Sequence, residues 1–513
     1  DVTEGKLLHD VMFILQSVDG EVIHWKDDTE TYEVVRMSRS VRAVVRELGE
    51  LGSLCKRLRA VSLGKDPFTE QERDSSPQAP GLIRQAFEHA LNEELNAHYR
   101  LVAILEGRIR RVESLAQLSL RRVHLWIQEA LQRFRLLEAC VEGCRGLKGG
   151  NILNIMYAMS RHGDPFIRGF IHRMLDAVSK PFFSMLKEWI YEGELNDPYG
   201  EFFITTQDVP DDLMWRQKYI LRRSMTPSFI PESLASKILS IGKSLNFLRY
   251  TCGDSGWLKE NITEHSHLQY GDLPGLEMSI DAAYLATSRR LMDVLRNKFH
   301  LLDHLDALKR FLLLGQGDFV QHLMDALGDC LSEPASALFR HNLTSTLETA
   351  IRSSNVQYDK VDIQRRLDVR TLETSPGDVG WDVFTLDYRM ELPLSTILTQ
   401  QAMEEYRRLF KFLWRLKRVE HAVGARWKAG ILGVHRLGGV EIFSRILHVC
   451  YVGCSEMVHF VYQMQYYLLF EVLECSWDEL KKQCLREQHL DLDQVIQAHA
   501  HYLHSMTTKA LIT

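Results

Sequence analysis

Asp164-Pro165-Phe166-Ile167-Arg168-Gly169-Phe170-Ile171-His172-Arg173-Met174-Leu175 sets the helical reading of this chain. Aspartate is a natural N-cap because its carboxylate accepts from the first unpaired amides of a helix, and proline at the first helical position has no amide to leave unpaired. From there positions 166, 167, 170, 171, 174, 175 and 178 form one apolar stripe at the 3.6-residue period, and such a stripe must be covered by another helix. The same spacing recurs in Ile238, Ile241, Leu245 and Leu248, across residues 301–314, and through residues 446–473. Ser476-Trp477-Asp478-Glu479 has the wording of a capping box and predicts that a new helix starts there. The expected fold is all-α or nearly so, an elongated two-domain rod of consecutive helical bundles. One stretch, residues 380–397, departs from the helical period. Its Trp381, Val383, Phe384, Leu386, Tyr388, Leu392 and Pro393 predict a short strand or extended segment in the C-terminal domain.

A length of 513 residues points to two to four packing units. With 45% hydrophobic and 25% charged residues and only 13 Pro and 31 Gly, the chain is neither disordered nor collagen-like. Lys and Arg number 62 against 68 Asp and Glu, so the net charge is 62 − 68 = −6 and no global positive field favours nucleic acid. The most apolar stretches, residues 311–319 and 451–470, are interrupted by Gly, Asp, Glu, His or Gln, which argues against membrane insertion. The chain begins at Asp1 and ends at Thr513 in the manner of a fragment, so no targeting signal is read from its ends. Nine cysteines, an odd number without a CxxC pair, point to reduced thiols in an intracellular compartment. Cys450 and Cys454 lie one helical turn apart, flanked by His448 and His459, as a zinc site would require, and Cys140 and Cys144 share that spacing. Core packing is the better reading of both pairs.

Breaks in the pattern organise the rest. Residues 75–81 read as a solvated loop, Asn196-Asp197-Pro198-Tyr199-Gly200 as a turn, and residues 252–274 as a polar connector. The expected division is a helical domain over 1–252, a connector over 253–274 and a second helical domain over 275–513. Ser240-Ile241-Gly242-Lys243-Ser244 resembles the end of a phosphate-binding loop, but Lys237 stands where that motif needs glycine, so a small-residue helix contact is expected instead of a nucleotide hydrolase. Gly315-Gln316-Gly317 is a lone GxG. His499, His501 and His504, with Asp491 and Asp493, lie near a helix start, where a solvated face or an N-cap accounts for them. No catalytic residue, cofactor or metal is assigned, and the chain is not expected to be an enzyme.

Several aromatic-rich turns exceed what a plain bundle needs. Trp189-Ile190, Gly193, Leu195, Asp197-Pro198 and Glu201-Phe202-Phe203 are followed by Trp215, Lys218-Tyr219, Pro227-Ser228-Phe229 and the Lys237–Leu248 run. This string resembles the first conserved (GRIP) domain of gamma-tubulin complex proteins. The second half is similar to their second domain. It matches through Leu312-Leu313-Leu314-Gly315-Gln316-Gly317-Asp318-Phe319, Arg365-Arg366-Leu367-Asp368-Val369-Arg370, residues 375–388, Phe412-Leu413-Trp414-Arg415, and residues 455–460 with 477–480. The resemblance covers nearly the whole chain.

It implies a structural subunit, without covalent chemistry, that templates microtubule nucleation at a spindle pole body or centrosome in the cytoplasmic cytoskeleton. The implied partners are gamma-tubulin, paralogous components alongside (component 2 above all), and alpha/beta-tubulin indirectly through gamma-tubulin. Lateral contacts are expected from the first domain and gamma-tubulin contacts from the second. For the latter the candidates are Gly315, Gln316, Gly317, Asp318 and Phe319, Arg352 and Arg370, and Asp378, Trp381, Asp382 and Tyr388. Nothing before Asp1 supplies the family's adaptor-binding extension, and residues 422–440, with five glycines, read as irregular where the family has a helix. Composition and period alone also fit a helical tether unrelated to microtubules.

Overall fold

The structure is a computed structural model that describes residues 4–26, 31–34, 38–63, 81–110, 119–210, 213–254, 256–257, 270–371, 377–437, 441–486 and 491–511. The first nine helices are α1 Glu4–Ile14, α2 Arg39–Ser62, α3 Leu82–Arg110, α4 Leu120–Gly143, α5 Gly150–Ser160, α6 Pro165–Lys187, α7 Met214–Gln217, α8 Glu232–Asn246 and α9 Leu273–Asn297. They are followed by α10 Leu301–Phe311, α11 Gly317–Leu331, α12 Arg340–Ser353, α13 Val361–Arg366, α14 Gly380–Val383, α15 Gln400–Leu437, α16 Glu441–Tyr466, α17 Cys475–Arg486 and α18 Leu492–Lys509. Strands among the described residues form three antiparallel pairs: β1 Ile23–Lys26 with β2 Thr31–Val34, β3 Ile204–Thr206 with β4 Tyr219–Leu221, and β5 Leu367–Thr371 with β6 Phe384–Tyr388. The fold is thus almost wholly α, as the periodicity predicts.

Internal contacts divide the chain into two units. One comprises Asp1–Asp208, Gln217–Leu245 and Gly256–Tyr284, the other Val209–Arg216, Asn246–Ser255 and Leu285–Thr513. Of the expected connector, residues 255 and 258–269 lie outside the described residues, as does all of the expected 75–81 loop but Gly81.

In the first unit α6 packs against α3 and α5. The Asp164 carboxylate accepts from the Phe166 amide at 2.9 Å, with Pro165 opening the helix. Phe170, Ile171, Met174, Leu175 and Val178 of the stripe are buried. The helix runs into a π turn, Glu188–Glu192, and stops at Gly193 in the left-handed region. In the turn that follows, the Asp197 carboxylate accepts from the amides of Glu201 (3.1 Å) and Phe202 (2.8 Å), which drives Phe202 and Phe203 into the core. Gly242 lies on α8 and faces Trp189, whose indole N–H donates to the Ile238 carbonyl at 2.8 Å. The Gly-Lys-Ser segment is therefore a helix contact, as expected.

The second unit corrects two expectations. No helix starts at Ser476. α16 continues through π-helical turns at Tyr467–Glu474 into α17, and Ser476 is buried inside that run. Leu468, Val472, Leu473 and Leu480 carry one buried stripe across the junction, so packing keeps the backbone helical where the local wording allows a stop. The capping box stands instead at Asp491, whose carboxylate accepts from Leu492 N–H at 2.7 Å while its own amide donates to Gln494 at 3.0 Å. Nor is the glycine-rich segment irregular: α15 runs through Gly424, Gly430 and Gly433 to Leu437, and residues 438–440 lie outside the described residues. A Cβ on Gly430 would sit 3.0 Å from the Tyr451 ring, so this glycine lets α16 approach.

Candidate partner interface

The Gly315–Phe319 segment joins α10 to α11. Leu314 adopts the left-handed conformation, and the amides of Gly315 and Gln316 turn back to the carbonyls of Lys309 (3.3 Å) and Arg310 (3.1 Å), closing the end of α10. Gly315 and Gly317 are exposed, Gln316 half-buried. Asp318, in the first turn of α11, accepts from the Asn355 amide at 2.9 Å, and that bond holds its carboxyl below the usual carboxylate range. Phe319 is fully buried against Phe311, ring centres 5.3 Å apart. Arg352, in the last turn of α12, is exposed, and its nearest carboxylate is Glu348 at 3.9 Å.

The other candidates gather at the far end of α11. Gly380 packs where a Cβ would fall 2.8 Å from the Leu331 carbonyl, and its amide donates to the Glu333 carbonyl at 3.1 Å. The Asp378 carbonyl accepts from Ala335 N–H at 3.0 Å. Trp381 is buried beside Trp414, with the Arg418 guanidinium 5.5 Å from its ring centre, and exposed Asp382 lies 3.7 Å from the same guanidinium. Tyr388 is buried and its hydroxyl bonds His304 Nδ1 at 2.8 Å, while burial and the nearby Arg366 hold His304 below the usual imidazole range. Arg370 sits on the outer face of β5, 3.7 Å from Asp387. The candidates are therefore not one cluster. Gly317–Asp318 and Asp378–Asp382 stand at opposite ends of a 15-residue helix, roughly 20 Å apart. Phe319, Trp381 and Tyr388 shape backbone from within, leaving the glycines, Asp318, Arg352, Arg370 and Asp382 at the surface.

A larger feature escapes the sequence reading. α16 is apolar on two sides. Tyr451, Cys454, Val458, Val461, Gln465 and Leu468 form a seam at alternating three- and four-residue spacing that is covered in whole or part. Away from it Val449 is 71% exposed, Met457 59% and Phe460 65%, with Ile446, Val452 and Tyr462 about as open. A cavity of about 460 Å³ between α11, α15 and α16 includes Gly317, Met324, Trp427, Val458 and Val461 in its lining, so Gly317 borders the seam side of α16. The signal lies in the charge pattern: between Arg445 and Glu471 the chain carries one charged residue, Glu456, too few for a helix that hides only one side.

Cys450 is exposed and Cys454 half-buried, and among the described residues no group of three or more His, Cys, Asp and Glu is placed to hold a metal ion. Cys140 is core, its thiol pushed up to about 12 by burial. His499 and Asp491, read as cap or solvated face, are both buried: Asp491 is the cap, but His499 packs inside against Tyr406, 3.0 Å from its hydroxyl. Among the described residues no helix is long and apolar enough to cross a membrane.

Two family models together cover nearly the whole chain. Residues 8–298 match the gamma tubulin complex component N-terminal model and residues 301–513 the C-terminal one. The chain belongs to the gamma-tubulin complex component family. Within it, the chain is similar over its whole length to the gamma-tubulin complex component 3 homolog of Xenopus laevis (41% identity, 58% of that protein covered) and to gamma-tubulin complex component 3 of Homo sapiens (41%, 57% covered). It is also similar to spindle pole body component alp6 of Schizosaccharomyces pombe (37%, 63% covered). The chain thus spans less than two thirds of the length of these relatives. The reading as an unrelated helical tether loses its support.

Proposed function

We propose that the chain is a structural, non-catalytic subunit of a gamma-tubulin complex. Its second unit holds gamma-tubulin through the exposed face of α16 and through the Gly315–Asp318 turn, with Arg352, Arg370 and Asp382 also taking part. Its first unit meets paralogous components, component 2 above all, side by side. The resulting array offers alpha/beta-tubulin a ready-made first ring and so nucleates microtubules at a spindle pole body or centrosome. Early microtubule oligomers gain too few contacts to offset several kcal/mol of lost translational and rotational freedom, and a pre-assembled ring removes that cost.

The observation that carries this reading is the bare apolar face of α16, in the unit that matches the family's C-terminal model. Exposed apolar side chains that share one helix face, as Val449, Met457 and Phe460 do at helical spacing, mark a protein partner site. The test is gamma-tubulin co-sedimentation with the full chain and with Met457→Glu/Phe460→Glu. Loss of binding at unchanged melting temperature is expected. Wild-type binding by the double variant would remove α16 from the interface.

A further inference from the structure

The outer face of the β5–β6 hairpin holds a charge arrangement of which the proposed function uses Arg370 alone. The register places Asp368 directly opposite Asp387. Leu367, Val369, Leu386 and Tyr388 point inward and are buried, so by strand alternation both aspartates lie on the other face. Like charges opposed across a strand pair destabilise it, and four guanidinium groups offset this. Arg340, first residue of α12, reaches Asp368 Oδ2 at 2.8 Å, and Arg389 reaches the same oxygen at 2.5 Å. Arg370 and Arg407 lie 3.7 and 3.8 Å from Asp387 Oδ2.

Neutralising two aspartates requires two arginines, and here there are four. Arg407 is largely buried, but the side chains of Arg340, Arg370 and Arg389 are each more than half exposed. These three, with the two aspartates, line a cavity of about 340 Å³, and among the described residues its lining carries a charge of 3 − 2 = +1. A guanidinium carries five N–H donors. Arg340 and Arg389 share one carboxylate oxygen, and Arg370 stands beyond hydrogen-bond range of Asp387, so most of these donors have no acceptor among the described residues.

We propose that this arginine-lined cavity is a docking site for an acidic peptide segment, rich in glutamate or aspartate, from a partner protein, independent of the α16 face. Carboxylates fit the fork geometry of guanidinium. The two aspartates in the lining work against a phosphate dianion, which concentrates two charges at one point beside them, whereas a peptide can set its carboxylates on separate arginines. Each exposed arginine–carboxylate pair contributes about 1 kcal/mol or less, so a lone small carboxylate is held weakly, whereas linked carboxylates on one segment bind together.

The test is fluorescence anisotropy of a labelled hexaglutamate peptide with the full chain at low ionic strength. Saturable binding that weakens as salt rises is expected, with Arg340→Gln/Arg389→Gln lowering affinity roughly tenfold and Arg352→Gln, outside the cavity, leaving it unchanged. Should the double variant melt early because Asp368 has lost both partners, Arg370→Gln, which leaves Asp368 paired, must still weaken the peptide. Equal binding by wild type and Arg370→Gln overturns the proposal, as does absence of saturable binding. Displacement of the peptide by millimolar inorganic phosphate makes the site a phosphate site and overturns it too. Gamma-tubulin co-sedimentation of Arg340→Gln/Arg389→Gln stays at the wild-type level, since neither residue belongs to the proposed gamma-tubulin surface.

Discussion

Gly242 illustrates how much one hydrogen atom can control. A Cβ there would lie 1.9 Å from Trp189 Cε2, and the indole cannot retreat because its N–H is bonded to the Ile238 carbonyl and its ring packs on Tyr219. Gly242→Ala should cost about 1–3 kcal/mol by overpacking, read as a lowered denaturant midpoint at unchanged slope. The same packing predicts that millimolar nucleotide leaves the melting temperature where it is, since Lys243 belongs to a helix and not to a phosphate loop.

His499 supplies a pH signature. Burial pushes its imidazole down to about 4, against an ordinary value of 6.5. Between those values the unfolded chain takes up a proton that the folded chain refuses, so stability falls as pH drops from about 6.5 to about 4, by up to about 1.4 kcal/mol per unit. His499→Gln should flatten that stretch of the stability curve. An unchanged slope in denaturation series across this range would show that another group governs it.

Among the elements, α6 and α16 mark the extremes of legibility. The start of α6 was plain because a cap is a local device: Asp164 and Pro165 act on amides two residues away. Asp164→Ala should cost about 1 kcal/mol, visible as a small drop in thermal midpoint. α16 was legible as a helix but not in its role. Its apolar residues read as one stripe, whereas the folded unit covers the seam through Val458 and Val461 and leaves Met457 and Phe460 bare. Period reports how residues share a face. It does not report whether a second element arrives to cover that face. The capping-box wording at Ser476 failed for a related reason, since burial of Leu473 and Leu480 on either side outweighs a local preference to stop.

For the molecule as a whole, the proposed division of labour is open to a paired test. In the first unit α3 and α4 expose Ile104, Leu125 and Trp126. Trp126→Glu should weaken association with component 2, measured by size-exclusion chromatography, while gamma-tubulin co-sedimentation is kept. Met457→Glu/Phe460→Glu should do the reverse. A single variant that abolishes both associations without unfolding would contradict separate surfaces.

Composition, apolar period and motif wording were enough to establish an almost wholly helical chain of the gamma-tubulin complex component family, because each is written in residues a few positions apart. Where each side chain ended up required the folded units. Trp215 donates to Asp493, 278 positions along the chain, Tyr406 meets His499, and Arg340 and Arg389 converge on Asp368. Burial and pairing depend on neighbours that are remote in sequence, and a helix looks the same in one dimension whether its second face is covered or left open.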